Sequence, residues 1–157
     1  MTKGARLFAI IASILTIGLL SAFVAGAGAK TTKGKKDSGT SYAAVVRTVG
    51  SKEYVAGYTL DKLFGHAATT YVTTLTSGKT GTVKVTGKPV TLYTAKGTLS
   101  GTGTATLNLA TGAITGGKLV LTKGTGGLKG HSFKGTFTGT SNIAMGLFTF
   151  HYTGIYS

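Results

Sequence analysis

A strict alternation of side-chain type runs through most of the chain and constrains its fold more than any other feature. In Thr98–Leu109, every second residue from Leu99 onward is Leu, Gly or Ala, and the residues between them are Ser, Thr or Asn. Ser132–Thr140 repeats the pattern, with Phe and Gly on one side and Ser, Lys and Thr on the other. Because successive side chains of a strand point to opposite faces, this period of two predicts strands with one apolar face and one hydroxyl-rich face. Threonine is β-branched and favours the same conformation.

Shorter stretches follow the same rule, and turn-forming residues separate them. Val83 and Val85 alternate with polar residues, and pairs such as Gly50-Ser51 and Ser77-Gly78 interrupt the runs. The only helical turn expected lies at Leu60–Phe64. Close spacing of the turns predicts hairpins between sequential antiparallel strands. The expected strands cover residues 42–49, 54–60, 69–76, 80–86, 90–95, 98–109, 114–122, 132–140 and 147–156.

These strands predict an all-β fold, a single antiparallel up-and-down barrel of about eight strands. Charged residues make up only 13% of the sequence, and a closed barrel removes exposed strand edges without charged residues to protect them. The alternation assigns Thr102, Thr104 and Thr136 to the outer face. The residues expected to face one interior are Gly101, Gly103, Leu107, Phe133, Phe137, Phe148 and Phe150.

The N-terminal segment, residues 1–29, has the pattern of a secretory signal peptide. Lys3 and Arg6 precede an uncharged stretch that ends in alternating Ala and Gly just before Lys30. A basic start, an apolar centre and small residues at the cleavage site are typical of such peptides. We therefore expect an N-terminal signal helix, cleavage after residue 29 and an extracellular protein that is retained at the cell envelope. The alternative is an uncleaved anchor, because the apolar run is long enough to span a bilayer.

Residues 30–41 contain no apolar side chain and are predicted to form a flexible basic tether that precedes a barrel domain at 42–157. Surface anion binding is assigned to four lysines of this segment, Lys30, Lys33, Lys35 and Lys36.

The charge balance points to an anionic partner. Without residues 1–29 the chain keeps 15 basic and 3 acidic residues, a net charge of +12. Such a field attracts polyanions, and the expected export favours an anionic cell-wall polymer or lipid headgroups over any specific nucleic acid. The alternative is that the charge serves only to keep the protein soluble.

Glycines and aromatic residues on the predicted inner face allow two interpretations. Gly135 and Gly139 alternate with Phe133 and Phe137, which fits large-beside-small packing in a narrow barrel. The same glycines could leave a lumen open for a small apolar ligand. In the last strand, alternating aromatic residues form either core or a ligand platform. The lumen candidates are Tyr71, Tyr93, Phe137, Phe148, Phe150 and Tyr152.

The segment GTGGLKGHSFKGTFTG (Gly124–Gly139) resembles the hairpin pattern GTGxYxGAxGxGxFxG of allene oxide cyclase and dirigent-type barrels. The chain is more similar still, over nearly all of residues 30–157, to secreted actinobacterial proteins of unknown function. It departs from the pattern at Leu128, His131 and Phe133. The resemblance implies an eight-stranded antiparallel barrel and little about activity, because such barrels host several unrelated functions. No catalytic residue is carried over from it.

A search for catalytic or metal-binding groups finds little. The sequence has three acidic residues, of which Asp37 lies in the predicted tether, and Glu53 and Asp61 are expected to form surface salt links. The three histidines lack metal-ligand spacing, and there is no cysteine. We expect no metal site and no cofactor.

Three functional classes remain. The first is a secreted, non-enzymatic barrel at the cell surface that binds an anionic polymer or surface, or a small apolar ligand. The second is an enzyme of the allene oxide cyclase or dirigent type that templates a reactive intermediate in the lumen, with Tyr93, Tyr71 or His66 as its polar groups. The third is binding to a regular surface through outward threonine rows at 102, 104 and 106 and at 136, 138 and 140.

Overall fold

The computed structural model describes residues 34–157, which form a closed antiparallel barrel in which each strand pairs with its sequence neighbours and the last strand pairs with the first. The expectations for residues 1–33 (signal peptide, cleavage site, Lys30 and Lys33) lie outside the described residues. The part of the chain that is described contains no helix with the length and apolarity that a membrane crossing demands. The strands are β1 (Lys35–Val49), β2 (Lys52–Asp61), β3 (Gly65–Ser77), β4 (Thr82–Thr94), β5 (Gly97–Asn108), β6 (Ala113–Gly124), β7 (Phe133–Asn142) and β8 (Leu147–Tyr156).

The predicted all-β barrel of about eight antiparallel strands is confirmed, with one change in the strand count. The two strands expected at 80–86 and 90–95 are the single strand β4, because Gly87–Val90 forms a register shift against β3 and β5 instead of a turn. A bulge of this kind bends a strand without ending it. The helical turn expected at Leu60–Phe64 is a plain turn that follows β2.

The flexible tether expected over residues 30–41 is wrong for its second half. Lys35–Ser41 belong to β1, where Lys35 pairs with Tyr156 and Ser41 with Phe150. Backbone pairing with β8 on one side and with β2 on the other offsets the chain entropy that this segment loses when it becomes ordered. Composition alone does not reveal these pairing partners.

Because each connection reverses the chain, the turns fall at two ends of the barrel. One end, here called the capped end, carries the turns that follow β2, β4 and β6. A 3₁₀ turn at Gly126–Leu128 places Leu128, 1% exposed, in a buried cluster with Leu99, Leu121 and Phe133. Phe64 packs against this cluster and meets Tyr156 with ring centroids 5.2 Å apart. These side chains close the capped end.

The opposite end, here called the open end, carries the turns that follow β1, β3, β5 and β7, including a second 3₁₀ turn at Ile143–Met145. Backbone hydrogen bonds join these turns: Leu109 N–H donates to Gly81, Ser141 N–H to Gly112, and Val45 N–H to Gly146. The second apolar cluster, Ala105, Leu107 and Ile114, lies on this side, and Phe137, Phe148 and Phe150 pack against it.

The glycines of the inner face have two roles. At Gly135 a Cβ would meet the carbonyl oxygen of Thr153 and the ring of Phe133, so the absence of a side chain allows close strand approach and large-beside-small packing. At Gly103 a Cβ would find its nearest neighbours at 3.6 Å, an ordinary contact distance. Gly103 therefore leaves space in the interior, whereas Gly135 does not.

Candidate functional site in the barrel lumen

The barrel encloses a cavity of about 220 Å³, here called the lumen, which runs from the capped end to the open end. One water centre needs only about 10–15 Å³, so this space is large enough for a small organic molecule. At the capped end the lumen is lined by buried residues such as Asp37, Asp61 and Leu99, and at the open end by exposed ones, Leu109 and Ile143. Its mouth therefore lies at the open end.

Five of the six predicted lumen residues line this cavity: Tyr71, Phe137, Phe148, Phe150 and Tyr152. Four of them pair with one another, either edge to face or stacked. The rings of Tyr71 and Phe137 each meet Phe150 edge to face at 6.2 and 5.5 Å, and Phe148 stacks on Phe150 at 5.9 Å. Such pairing fixes ring orientation, so the middle of the lumen has a rigid aromatic wall.

Two polar residues expected in the lumen, Tyr93 and His66, lie on the outer surface instead. Tyr93 points outward and is 45% exposed, with its hydroxyl 3.4 Å from Oγ1 of Thr70. After the bulge in β4, Val90 and Leu92 take the inward positions, so alternation sends Tyr93 to the outer face. His66 is exposed and pairs with Leu60, which is also exposed, on the outer surface.

The Tyr71 hydroxyl is the clearest unsatisfied group in the lumen. It is buried and has no hydrogen-bond partner among the described residues, and the Ser141 hydroxyl shares this condition. Burial and the nearby charge of Glu53 raise the pKa of Tyr71 well above its usual range, so the phenol keeps its proton. Buried polar groups are nearly always paired in native proteins. Two residues that line the lumen, Tyr71 and Ser141, thus each carry a buried hydroxyl without a hydrogen-bond partner.

Two carboxyl groups, missed by the sequence analysis, form the polar floor of the lumen. Asp37 is 3% exposed and Asp61 is 8% exposed. Oδ1 of Asp61 accepts hydrogen bonds from the N–H groups of Leu63 and Phe64 at 2.7 and 2.8 Å, which holds the turn after β2. Oδ2 of Asp61 accepts a hydrogen bond from the hydroxyl of Tyr152. The surface salt link expected for Asp61 is therefore wrong.

The two carboxyl groups interact directly. Burial raises the pKa of Asp37 to about 6, and the charge of Asp61 and a hydrogen bond between the two side chains act in the same direction. The pKa of Tyr152 is raised far above its usual range by burial, by its hydrogen bond to Asp61 and by the charges of both carboxyl groups. Below about pH 6 the floor therefore holds a proton on this interacting pair, next to a tyrosine that stays protonated.

Glu53, the third acidic residue, also faces the lumen. Its Oε2 accepts a hydrogen bond from Oγ1 of Thr73 at 3.1 Å, so the expected surface salt link is wrong here too. Alternation in β2 explains the placement, because Glu53, Val55, Thr59 and Asp61 share one face. Extending the same alternation back from Ala43 through Ser41 and Gly39 would have placed Asp37 inside as well.

Charge is completely segregated between the two faces of the barrel. All three acidic residues of the chain line the lumen, whereas the thirteen Lys and Arg residues of 34–157 are all exposed and none lines it. Lys35 and Lys36, two of the four predicted surface lysines, are among these exposed residues at the start of β1. The lumen is therefore negative and the outer surface positive.

The three histidines lie outside the lumen, and of the outer threonine rows only Thr104 is among its lining residues. His151 Nδ1 lies 3.0 Å from Oγ1 of Thr40 on the outer wall, and His131 stacks on Tyr156 at 5.0 Å. Within residues 34–157, no three His, Cys, Asp or Glu side chains group in a way that could hold a metal ion. The threonine rows of β5 and β7 face outward on a curved wall.

Comparisons with known protein families, with curated proteins and with solved structures find no match to this chain.

Proposed function

We propose that this protein binds a small, mainly apolar molecule in the barrel lumen, and that it does so outside the cell. The observation that supports this most is the cavity of about 220 Å³ with its aromatic wall and a mouth at the open end. A concave, largely apolar space with a few inward polar groups is the usual form of a ligand site. The unpaired hydroxyls of Tyr71 and Ser141 further favour a ligand that carries one hydrogen-bonding group.

Filling the lumen tests this proposal. In a Gly103→Leu variant the new side chain projects into the cavity, and ordinary contact distances at Cβ leave the backbone undisturbed. A Thr102→Leu variant adds the same side chain at the adjacent, exposed position and serves as the control. We expect the neutral dye N-phenyl-1-naphthylamine to become fluorescent with the parent protein and with Thr102→Leu, and to bind Gly103→Leu at least tenfold more weakly. Equal binding by both variants would place the dye outside the lumen.

Native mass spectrometry of protein recovered from the medium of its own host identifies the natural ligand. The expected result is an additional small mass that is retained by Thr102→Leu and absent from Gly103→Leu. The same material also tests the predicted export and cleavage after residue 29, because the measured chain mass reports its N-terminus.

The outer surface is proposed to retain the protein at an anionic polymer or lipid surface. All thirteen described basic side chains are exposed, and the acidic side chains that would oppose them lie in the lumen. Long-range attraction of this kind weakens with salt. Most of the retained protein should therefore be released between low salt and about 1 M salt, where the screening length is about 3 Å.

A lumen enzyme is the second candidate, and the pair Asp37–Asp61 favours it. A carboxyl group with a pKa near 6 can donate or accept a proton close to neutral pH, beside a protonated Tyr152. The resemblance of Gly124–Gly139 to allene oxide cyclase and dirigent-type barrels stays a prediction that agrees with this candidate. Chromatography of the molecules retained by the parent protein and by Asp37→Asn separates the two functions. An enzyme leaves different molecules in the two lumens, whereas a binding protein leaves the same one.

A further inference from the structure

The open end carries an unusual concentration of exposed aliphatic side chains. Met145 is 67% exposed and Val46 is 66% exposed, and four more large aliphatic residues of this end are more than 40% exposed. Together they form the apolar rim, which consists of Val46, Val49, Leu109, Ile143, Met145 and Leu147. Exposed apolar groups scattered singly need no explanation, but a cluster on a soluble surface marks a contact site.

The turns of the capped end lack this feature. Its turns contain large apolar residues too, but Leu128 is buried, and Leu63 and Phe64 are half-buried. The exposed side chains there include Lys62, Lys96 and Lys129. Three large exposed residues do lie near this end, Leu60, Tyr93 and Ile155, but they belong to the outer faces of β2, β4 and β8 and not to the turns. The turns of the capped end thus cover their apolar residues, whereas the turns of the open end expose Leu109, Ile143 and Met145.

Basic side chains flank the apolar rim. Arg47 lies between Val46 and Val49 on β1, Lys52 begins β2, and Lys79 lies in the turn after β3. All three are exposed. Within residues 34–157 no exposed acidic side chain opposes them. Aliphatic side chains that project among cations match the two layers of an anionic bilayer surface, where acyl chains lie beneath negative headgroups.

We propose that the open end docks on an anionic lipid bilayer, with the apolar rim inserted among the acyl chains and Arg47, Lys52 and Lys79 against the headgroups. This goes beyond retention by charge, because it names the contact surface and adds a contribution that salt does not screen. Docking in this orientation brings the mouth of the lumen to the bilayer. Docking of the apolar rim on the bilayer does not depend on whether the lumen holds a ligand.

A single-tryptophan reporter tests the docking in the full chain. The sequence has no tryptophan, so Met145→Trp reports on the apolar rim alone. Val120→Trp is the matched control, because Val120 is an exposed residue of β6 on the outer wall. With vesicles of phosphatidylglycerol and phosphatidylcholine we expect a blue shift for Met145→Trp and quenching by brominated acyl chains, and neither for Val120→Trp. Pure phosphatidylcholine vesicles should give a much smaller signal.

A second pair of variants measures the apolar contribution. The rim variant replaces Leu109, Ile143 and Met145 by Ser. The wall variant makes the same substitution at Leu60, Val120 and Ile155, which are also exposed. At about 1 M salt, binding of the rim variant should fall on the order of tenfold or more relative to the wall variant. The N-terminal segment is common to both and cancels in this comparison.

Three results would overturn the proposal. Equal signals at positions 145 and 120 would mean that the apolar rim has no special contact with lipid. Equal binding of the rim and wall variants would assign all retention to charge, as expected for an anionic wall polymer. A concentration-dependent shift of Met145→Trp without vesicles would assign the apolar rim to a second copy of the chain. Failure of dye binding in the lumen would leave each of these readouts unchanged.

Discussion

The hydroxyl of Tyr152 donates a hydrogen bond to Oδ2 of Asp61, although the two residues lie on strands that do not pair with each other. Tyr152 is on β8 and Asp61 ends β2, and β1 lies between these strands in the barrel. The bond therefore passes over the inner face of β1 near the capped end, where Gly39 leaves room for the Tyr152 hydroxyl. It holds a carboxyl group whose other oxygen fixes the turn after β2, so one interaction connects the lumen floor to the closure of the barrel.

Tyr152→Phe removes this donor and leaves a buried carboxyl oxygen without it. We expect the free energy of unfolding to fall by about 1–3 kcal/mol, measured by urea denaturation at pH 7. Tyr58→Phe is the control, because the side chain of Tyr58 is exposed on the outer face, and its effect should stay within about 0.5 kcal/mol. Equal effects of the two substitutions would show that the hydrogen bond contributes nothing to stability.

Stability should depend on pH through Asp37. Its pKa in the fold is about 6, compared with an ordinary value of 3.8, so between these values the folded state holds a proton that the unfolded chain has lost. The free energy of unfolding must then fall as the pH rises from about 4 to about 6, and the pair's contribution levels off above that range. Urea denaturation at several pH values across this range measures the free energy of unfolding.

Asp37→Asn should flatten this dependence, whereas Glu53→Gln, which alters another lumen carboxyl group, should preserve it. A slope unchanged in Asp37→Asn would assign the proton to a different group. Because Asp37 and Asp61 interact, the midpoint of this pH dependence is a property of the two carboxyl groups together and not of Asp37 alone.

Two glycines on the same face of β5 should respond in opposite ways to alanine. At Gly101 a Cβ would meet the backbone carbonyl oxygen of Val120, which cannot move freely. We expect Gly101→Ala to lower the free energy of unfolding by about 1–3 kcal/mol. Gly103→Ala has its nearest contacts at 3.6 Å and should be neutral or stabilising by up to about 1 kcal/mol. Thermal denaturation of both variants tests this, and the reverse order would contradict the packing described here.

Ligand charge should affect binding strongly, because the lumen contains all three acidic side chains of the chain and no described basic side chain. Among probes with one naphthalene body, 2-naphthoate should bind on the order of tenfold more weakly than 2-naphthalenemethanol at pH 8, and 2-naphthylmethylamine at least as tightly as the alcohol. Competition with N-phenyl-1-naphthylamine measures all three. Asp37→Asn combined with Asp61→Asn should reduce the discrimination, and tighter binding of the naphthoate would contradict the charge distribution.

Alternation in the sequence was sufficient to predict which residues of the later strands face inward. Leu107, Phe133, Phe137, Phe148 and Phe150 line the lumen as expected, because a period of two assigns every side chain of a strand once its register is known. It failed where a bulge shifted the register, as at Tyr93. It also failed where composition was used in place of alternation, as for Lys35–Ser41.

The sequence by itself determined the fold class, the antiparallel order of the strands and the division of each strand into an inner and an outer face, because these depend on local alternation and turn residues. Only the tertiary structure decided that the lumen is open, that Asp37 and Asp61 meet at its floor, and that the apolar rim lies at three of the four turns around its mouth. Each of these depends on contacts between segments far apart in the chain: the β1–β8 pairing that closes the barrel, the curvature that sets the internal volume, and the bulges that turn individual side chains. No local pattern encodes those distances, since they arise when eight strands close on one another.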